Sequence, residues 1–263
     1  MEFIGFALGV LIGITLGLIG SGGSVLTIPI LVYLMHISPS HATTYSLFIV
    51  GSAALVGSIK GIRAHLLDYK MALYFGLPSI FSIFIMRKFV IPTLPATLFT
   101  IYNYAITKDL FIMLVFAVLM IITAFSMIVS SKQLKNTREE IGKNSIIIKG
   151  VFVGLLSGFV GVGGGFLIVP ILIFSGELPM KKAVATSLII IAANSLIGFA
   201  GSLNSEPIQW KFLLAFTTFA VAGIYAGIYL SNKISNKKLK PAFGWFVLIT
   251  GIFIIIKELL LNI

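Results

Sequence analysis

The sequence contains no cysteine, only three histidines and only eight acidic residues in a chain of 263. Without cysteine there can be no disulfide, no thiolate metal ligand and no thiol nucleophile. Charged residues of both signs amount to 10% and apolar residues to 58%, whereas a soluble domain is about a quarter charged. The composition therefore excludes an ordinary water-soluble enzyme.

The few charges are also unbalanced, because 19 lysines and arginines give a formal net charge of +11. A basic excess can indicate nucleic-acid binding, but that function needs a dense cationic face. Here the cations form short clusters between long apolar runs, which is typical of loops that flank membrane spans. We therefore expect a lipid bilayer, and no nucleic acid, as the partner of this chain.

Apolar stretches recur along the whole chain, each close to the length of about 20 residues that crosses the hydrocarbon of a bilayer. They predict an all-α polytopic membrane protein of the cell (plasma) membrane. The first stretch has almost no basic residue before it and no small-residue cleavage site, so we expect it to belong to the mature structure. The stretches lie at 3–19, 25–35, 42–59, 71–86, 110–130, 146–160, 166–175, 183–200, 211–230 and 242–261.

The sequence is an internal duplication. A shift of 141 residues aligns 9–57 with 150–198 without a gap, and 17 of the 49 aligned positions are identical. We divide the chain into a first repeat at 1–131, a polar connector at 132–145 and a second repeat at 146–263. Near its end, the first repeat carries about 14 additional residues.

The distribution of cations predicts how the two repeats are oriented, because cytoplasmic loops are enriched in lysine and arginine. If each glycine-interrupted stretch, 3–35 and 146–175, crosses the membrane once, the cations divide 10 against 9. If each is a hairpin with its tip at the glycines, they divide 14 against 5. The second arrangement predicts an inverted repeat, in which each half has a re-entrant hairpin and about three full transmembrane helices, as in many secondary transporters. Both termini are then extracytoplasmic and the connector is cytoplasmic.

Each repeat contains a cluster of glycines followed by a proline, GSGGSVLTIP at 20–29 and GVGGGFLIVP at 161–170. Neither segment can form a regular helix, because glycine is flexible and proline lacks an amide donor. A membrane tolerates unwound backbone only where protein buries it or where it lines a watery cavity, so paired breaks predict a binding site between the repeats. The freed amides and the start of the following helix favour an anion. Glycines spaced four apart before each cluster, such as Gly13 and Gly17, instead indicate close helix packing.

Hydroxyl groups are distributed unequally between the two clusters. Ser21, Ser24 and Thr27 belong to the first cluster, and the second cluster has none. We therefore expect an asymmetric site that has its hydroxyls on the first repeat.

The span after each cluster is a second candidate element. Ser46 and Ser187 align, Thr186 precedes Ser187, and Asn194 lies two helical turns beyond it. Hydroxyls in such helices often bond only to carbonyls of the preceding turn. An amide in the middle of a span is costly in hydrocarbon, so we expect Asn194 to face a neighbouring helix or the cavity. Ligand binding and helix association are both open for this residue.

All eight acidic residues and all three histidines are expected in loops or near the ends of spans. No metal cluster or hydrolase triad can then form in the membrane, so we expect neither an enzyme nor a cofactor. The sequence also places no acidic residue or histidine in the middle of a span, where it could carry a proton. A proton carried by the substrate, an edge histidine and a sodium ion are therefore open alternatives for coupling. Lys60, Arg63 and His65 precede a span on the expected cytoplasmic side, where they either draw anions inward or only set the topology.

These motifs resemble the TauE/SafE sulfite exporter family, the TSUP permeases. The resemblance rests on a duplicated pattern, GITLGLIGSGGSVLTIP at 13–29 and GLLSGFVGVGGGFLIVP at 154–170, followed by ATTYSL at 42–47 and AVATSL at 183–188. It covers essentially the whole chain. The first copy departs from the pattern in having Ser24 where the second has a glycine, and the extra residues occur only in the first half.

The resemblance implies a permease of about eight hydrophobic spans that transports a small anion. Sulfur oxyanions and organosulfonates such as sulfite, thiosulfate and sulfoacetate are the implied substrates, moved by an ion gradient. Carried onto this sequence, the substrate cradle comprises Gly20, Ser21, Gly22, Gly23, Ser24, Gly161, Gly163, Gly164 and Gly165, surrounded by Ser46, Thr186, Ser187 and Asn194.

Two other functions are compatible with the same features. An anion channel could use the same broken helices, and only its response to an imposed gradient would separate it from a carrier. A non-transporting membrane scaffold would need the glycines for folding alone. Whether the chain forms a homo-oligomer is also open at this stage.

Overall fold

The computed structural model describes residues 2–20, 23–101, 104–129, 143–174, 176, 178–203, 207–231 and 236–260. Ser21 and Gly22 of the predicted cradle lie outside the described residues, and so does the predicted connector up to residue 142.

The described part of the chain is almost entirely helical, because a backbone in lipid has to satisfy its own hydrogen bonds. The first repeat comprises α1 (Glu2–Ile19), α2 (Ser24–Pro29), a first π-helical turn (Ile30–Leu34), α3 (Pro39–Arg63), α4 (Tyr69–Ile85), a second π-helical turn (Met86–Val90), α5 (Ile91–Thr93), strands β1 (Thr97–Ile101) and β2 (Tyr104–Thr107), and α6 (Lys108–Val129). The second repeat comprises α7 (Lys143–Val160), α8 (Gly165–Phe174), α9 (Met180–Ser202), α10 (Trp210–Ser231) and α11 (Asn236–Leu260).

Five helical segments within the described residues are long and apolar enough to cross a membrane. Of these, α3 and α9 are the most deeply buried and form the centre of the molecule. The all-α polytopic class predicted from the sequence is confirmed. The five segments are Pro39–Arg63, Tyr69–Thr93, Lys108–Ile128, Met180–Ser202 and Trp210–Leu230.

Corresponding helices of the two repeats pack against each other in opposite directions. Gly51 of α3 lies against Ser195 of α9, whereas Gly61, further along α3, lies against Ala185, earlier in α9. The last helices of the two repeats, α6 and α11, also pack together, and successive contacts again run in opposite directions. Antiparallel packing of equivalent helices is what an inverted repeat requires, and it supports that prediction.

Helix α1 packs along α10 of the other repeat in the same direction. Gly9 lies against Phe216 and Gly17 lies against Ile224. The counterpart pair, α7 and α4, is also parallel, with Gly150 against Phe75. Each repeat therefore contributes its first helix to the other repeat.

The direction of α3 shows that the chain turns back at the first glycine cluster. Tyr45 packs on Phe212 with 6.1 Å between ring centroids, and Gly57 packs on Ile224 further along α10. Helices α1 and α3 thus both run parallel to α10, so the segment between them, α2 and the first π-helical turn, has to return. The chain thus forms a hairpin between α1 and α3, and its re-entrant arrangement in the membrane stays a prediction of the cation count.

The additional residues of the first repeat form an antiparallel β-hairpin between α5 and α6. Thr97 pairs with Thr107 and Ile101 pairs with Tyr104. The sequence analysis predicted no strand here, because two strands of five and four residues are too short for their alternation to stand out beside the apolar spans.

Glycines bring the backbones of α1 and α10 into direct contact. A Cβ atom at Gly13 would overlap the carbonyl oxygen of Ala220. The counterpart glycine of α7, Gly154, has its Cβ position occupied by the carbonyl of Ser79. The four-residue glycine spacing is therefore used for helix packing, as expected.

We predict that Gly13→Ala lowers the melting temperature of the purified protein in detergent. The added methyl group has to push two backbones apart, and overpacking of this kind costs about 1–3 kcal/mol.

Gly76→Ala is the matched control. Gly76 is a buried helical glycine, but the nearest atom to its Cβ position is 3.6 Å away, an ordinary contact distance. Equal losses of melting temperature for the two variants would contradict the close approach of α1 and α10.

Candidate functional site

The second glycine cluster forms a sharp loop between α7 and α8. Gly161, Gly163 and Gly164 have φ angles of +80°, +67° and +77°, in the left-handed region that glycine adopts without strain. The amide of Gly161 donates a hydrogen bond of 2.8 Å to the carbonyl of Ser157 and closes the last turn of α7. The helix is therefore broken where the sequence predicts. We call residues 161–164 the second loop.

An arginine lies directly against this loop. Arg87 belongs to the second π-helical turn and is only 2% exposed. Its Nη1 donates a hydrogen bond of 3.2 Å to Oγ1 of Thr43. A Cβ atom at Gly161 would overlap both Nη2 of Arg87 and the side chain of Thr43. Glycine at position 161 is what allows the guanidinium to reach the backbone of the loop.

Buried hydroxyl groups surround the rest of the loop. Ser195 Oγ occupies the Cβ position of Gly163, and Ser157 Oγ occupies that of Gly164. Ser46 lies one helical turn after Thr43 on α3. The Oγ atoms of all three serines are buried and have no hydrogen-bond partner in the described part of the chain. Buried polar atoms are nearly always satisfied in native proteins, so these hydroxyls are available to ordered water or to a ligand.

Asn194 joins this region through a neighbouring helix. It is fully buried, and its Nδ2 donates a hydrogen bond of 2.7 Å to Oγ of Ser79 on α4. Its Oδ1 is buried and has no hydrogen-bond partner among the described residues. The amide group thus faces a neighbour helix, as expected, and keeps one polar atom available near the second loop.

We call residues 20–23 the first loop, of which the structure describes Gly20 and Gly23, and these two have different neighbours. Gly20 has φ +79° and packs against the apolar side chain of Val184. Gly23 packs against Leu16 and the backbone of α1, and Ser24 is the buried first residue of α2. Each loop therefore rests on the central helix of the other repeat, but the first loop has mainly apolar neighbours.

Two of the predicted site residues have structural partners near the first loop. The Oγ1 of Thr186 accepts a hydrogen bond of 3.0 Å from the amide of Asp68, at the connection between α3 and α4. The Oγ of Ser187 donates only to the carbonyl of Val184, in the preceding turn. Gly165 is the first residue of α8. Of the predicted residues, Gly161, Gly163 and Gly164 belong to the second loop, and Ser46 and Asn194 lie on the helices whose Thr43 and Ser195 contact it.

Except for Ser46, which corresponds to Ser187, the polar residues around the second loop have apolar counterparts 141 positions away, at the first loop. Thr43 corresponds to Val184 and Arg87 corresponds to Ile228. Of the hydroxyls expected from the first cluster, that of Thr27 donates back to the carbonyl of Gly23 at 3.4 Å, and Ser21 lies outside the described residues. The hydroxyls around the second loop come from neighbouring helices, which a motif does not show. The other polar and apolar pairs are Ser79 with Ala220, Ser157 with Leu16, Asn194 with Ala53 and Ser195 with Ala54.

Arg87 is a candidate site residue that the sequence did not reveal. It directly follows the apolar stretch 71–86, and the cation count therefore assigns it to a loop outside the membrane. The duplication indicates instead that this position lies within the membrane, because its counterpart Ile228 is inside the apolar stretch 211–230. The second π-helical turn continues the helix through Met86–Val90 and carries Arg87 into the protein interior.

A cavity of about 290 Å³ lies beside the first loop. In the duplication, this cavity corresponds to the region beside the second loop that Arg87 fills. Its lining includes Ile228 and Val184, which are the counterparts of Arg87 and Thr43. Two exposed lysines also line this cavity, so its wall is cationic. Gly17, Gly57, Lys60, Lys181, Val184 and Ile228 are among the lining residues.

The described acidic side chains lie at helix ends, as expected. Asp68 caps α4 by accepting a hydrogen bond of 2.9 Å from the amide of Met71, and Asp109 accepts from Ser40 at the start of α6. Glu258, in the last turn of α11, is nevertheless buried and accepts a hydrogen bond of 2.7 Å from the hydroxyl of Tyr33. It joins α11 to the first hairpin.

These features define a polytopic membrane protein made of two homologous halves, each with a glycine-broken hairpin. The chain belongs to the TauE/SafE sulfite exporter family, whose family model matches residues 5–254.

Relatives of similar length are proteins named as probable membrane transporters. One from Xylella fastidiosa is 27% identical over 94% of this chain and 92% of its own length. One from Methanocaldococcus jannaschii is 27% identical over 94% of this chain and 93% of its own length. YunE of Bacillus subtilis is 26% identical over 88% of this chain and 89% of its own length. No solved structure matches this chain.

We predict that Gly163→Ala destabilises the protein and that Ser195→Ala in the same chain restores part of the loss. The new methyl group would overlap Ser195 Oγ, and removal of that oxygen leaves only the strain of the left-handed backbone, about 1–3 kcal/mol. Melting temperatures of the single and double variants in detergent measure the coupling.

Ser202→Ala is the control for the second substitution. Ser202 is buried on the same helix and bonds only to the carbonyl of Gly198 at 3.2 Å. Rescue of Gly163→Ala by Ser202→Ala, or none by Ser195→Ala, would contradict the contact.

Proposed function

We propose that this protein is a secondary transporter, rather than an enzyme, and that it carries a small anion across the cell membrane. The observation that carries the proposal is the buried guanidinium of Arg87 against the backbone of the second loop. The paired glycine hairpins and the names of the relatives support transport, and the site supports an anion as the cargo.

A buried cation strongly favours an anionic ligand. A charge taken out of water loses its solvation, and an opposite charge at contact distance recovers much of that loss in a medium of low dielectric. The planar guanidinium can bind two oxygens of one oxyanion through parallel N–H groups. Helix α8 begins directly after the loop, and its positive dipole end adds to the attraction.

The hydroxyls around the loop favour a ligand with several oxygen atoms. Ser46, Ser157 and Ser195 each have a hydroxyl that can donate to such a ligand from a different helix. Sulfite, thiosulfate and sulfoacetate each have at least three oxygens on sulfur that accept hydrogen bonds. We therefore assign the substrate to this class of sulfur oxyanions and organosulfonates, in accord with the name of the family.

The cavity beside the first loop supplies an access path. It is lined by Lys60 and Lys181, on the face that the cation count assigns to the cytoplasm. Its counterpart on the opposite face is filled by the second π-helical turn, since Gly158 and Gly201 pack against Met86 and Arg87. In an alternating-access cycle, the two repeats would exchange these conformations, so that one face opens as the other closes.

We predict that a cysteine placed in the cavity reacts with a membrane-impermeant thiol reagent. Leu188 lines the cavity, and because the chain has no cysteine of its own, Leu188→Cys gives a single reactive site. Labelling in proteoliposomes and its decrease on addition of sulfite are the measurements.

Leu47→Cys, at the counterpart position on the closed face, is the control. Equal labelling of both variants, unchanged by every anion tested, would contradict alternating access and favour a channel.

We further predict that Arg87→Gln weakens anion binding by about 100-fold. Loss of one partner of a buried, hydrogen-bonded charge pair costs about 2–5 kcal/mol. Arg87→Lys keeps the charge but not the planar fork and should give an intermediate loss. The measurements are the thermal shift with sulfite, thiosulfate and sulfoacetate, and their saturable uptake into proteoliposomes.

Lys88→Gln is the matched control, because Lys88 is the neighbouring cation, exposed and placed over the rings of Phe84 and Phe89. It should leave affinity within about twofold, since exposed charges interact weakly. A folded Arg87→Gln protein with unchanged affinity for every anion would exclude the proposed site.

A further inference from the structure

A second cavity, of about 360 Å³, lies between the ends of α3 and α10. It is separate from the second loop and from Arg87, and it opens toward the lipid-facing side of the two helices. Its lining residues are Val56, Ile59, Lys60 and Arg63 of α3 and Tyr225, Ile228 and Tyr229 of α10. Two of these seven residues are cationic, two are tyrosines and none is acidic.

The lining residues are ordered along the membrane normal. Helix α3 has 25 residues and so is about 37 Å long, which exceeds the hydrocarbon thickness of about 30 Å. Its last turn, with Lys60 and Arg63, therefore lies at the level of the lipid head groups. Val56 and Ile59 lie deeper, toward the hydrocarbon. Because α3 and α10 run parallel, the end of α10 reaches the same face of the membrane.

Because Gly57 of α3 packs on Ile224 of α10, Tyr225 lies level with the aliphatic residues of α3 and Tyr229 lies level with the two cations. Tyr225 and Tyr229 are 61% and 62% exposed and stand one helical turn apart on the outer side of α10. Tyrosine is enriched at this depth because its ring prefers hydrocarbon and its hydroxyl prefers water. The groove is thus mainly aliphatic with one phenol hydroxyl at its inner part, and it carries the two cations and the second phenol hydroxyl at its outer end.

We propose that this groove binds an anionic phospholipid, whose phosphate contacts Lys60 and Arg63. The aliphatic inner part of the groove suits an acyl chain, and its cationic outer end suits a phosphate group. The two cations have no acid beside them in the groove, and basic pockets between helices at a membrane surface attract anionic head groups. Lys60 and Ile228 also line the access cavity, so the lipid stands beside the path proposed for the substrate.

The test compares ligands that share a phosphate group. Purified full-length protein in a neutral detergent is titrated with phosphatidylglycerol, with phosphatidylcholine of the same acyl chains and with glycerol 3-phosphate, and its melting temperature is recorded. We expect a saturable rise with phosphatidylglycerol alone. The retained lipid is identified by native mass spectrometry.

The double variant Lys60→Gln/Arg63→Gln should bind phosphatidylglycerol about tenfold more weakly. Lys70→Gln/Lys182→Gln removes the same charge from exposed positions on the same expected face, outside the groove, and should bind like the unchanged protein. Equal binding of phosphatidylcholine, an equal shift with glycerol 3-phosphate, or equal losses in the two double variants would each overturn the proposal.

The lipid proposal does not depend on the identity of the transported anion. Arg87→Gln should leave the phosphatidylglycerol shift unchanged while it removes the sulfite shift, so failure of one proposal is distinguished from failure of the other. Tyr225→Leu/Tyr229→Leu, which keeps both cations, should retain the selectivity for the anionic lipid over phosphatidylcholine. Loss of that selectivity in the tyrosine variant would show that the cations do not confer it.

Discussion

The contact between Gly161 and Arg87 constrains the rest of the site. A guanidinium that is 2% exposed has lost nearly all of its water, and its position is favourable only if other groups compensate the charge. Thr43 provides one hydrogen bond, and the glycine backbone allows the closest approach. Any side chain at residue 161 would displace the cation. The left-handed loop, its three glycines and the surrounding hydroxyls are thus all parts of the site at which we propose that an anion binds between the repeats.

Duplication supplied the scaffold, and divergence between the copies produced the site. Both repeats keep the glycine hairpin and the proline that follows it, so both have the same break in the backbone. The side chains around the breaks differ: Thr43 and Arg87 face the second loop, whereas Val184 and Ile228 occupy the equivalent positions at the first. One half therefore places a buried cation beside its loop, and the other half leaves a cavity there. Such a division is suited to a carrier, in which a single substrate site has to be reached from each face in turn.

The sequence predicted the individual helices and breaks of this structure more successfully than it predicted which helices pack together. Apolar length and glycine clusters correctly indicated the spans, the breaks and the family, because these properties reside in single segments. The polar lining of the second loop comes from α3, α4, α7 and α9, and periodicity within one helix does not reveal which helices meet. Arg87 was misplaced because a cation after an apolar run is normally a flanking charge, and the π-helical turn that extends α4 has no simple sequence signal. Glu258 is a second example. The sequence correctly places it near the end of a span, but does not predict that it is buried against Tyr33.

The central claim, that one anion binds between Arg87 and the second loop, can be tested by locating the ligand directly. Selenite has the shape and charge of sulfite, and selenium scatters X-rays anomalously. Crystals of the full chain soaked in selenite should show an anomalous peak within hydrogen-bonding distance of the Arg87 guanidinium and of the hydroxyls of Ser157 or Ser195. A peak at the first loop, or only at Lys60 and Lys181, would contradict the account.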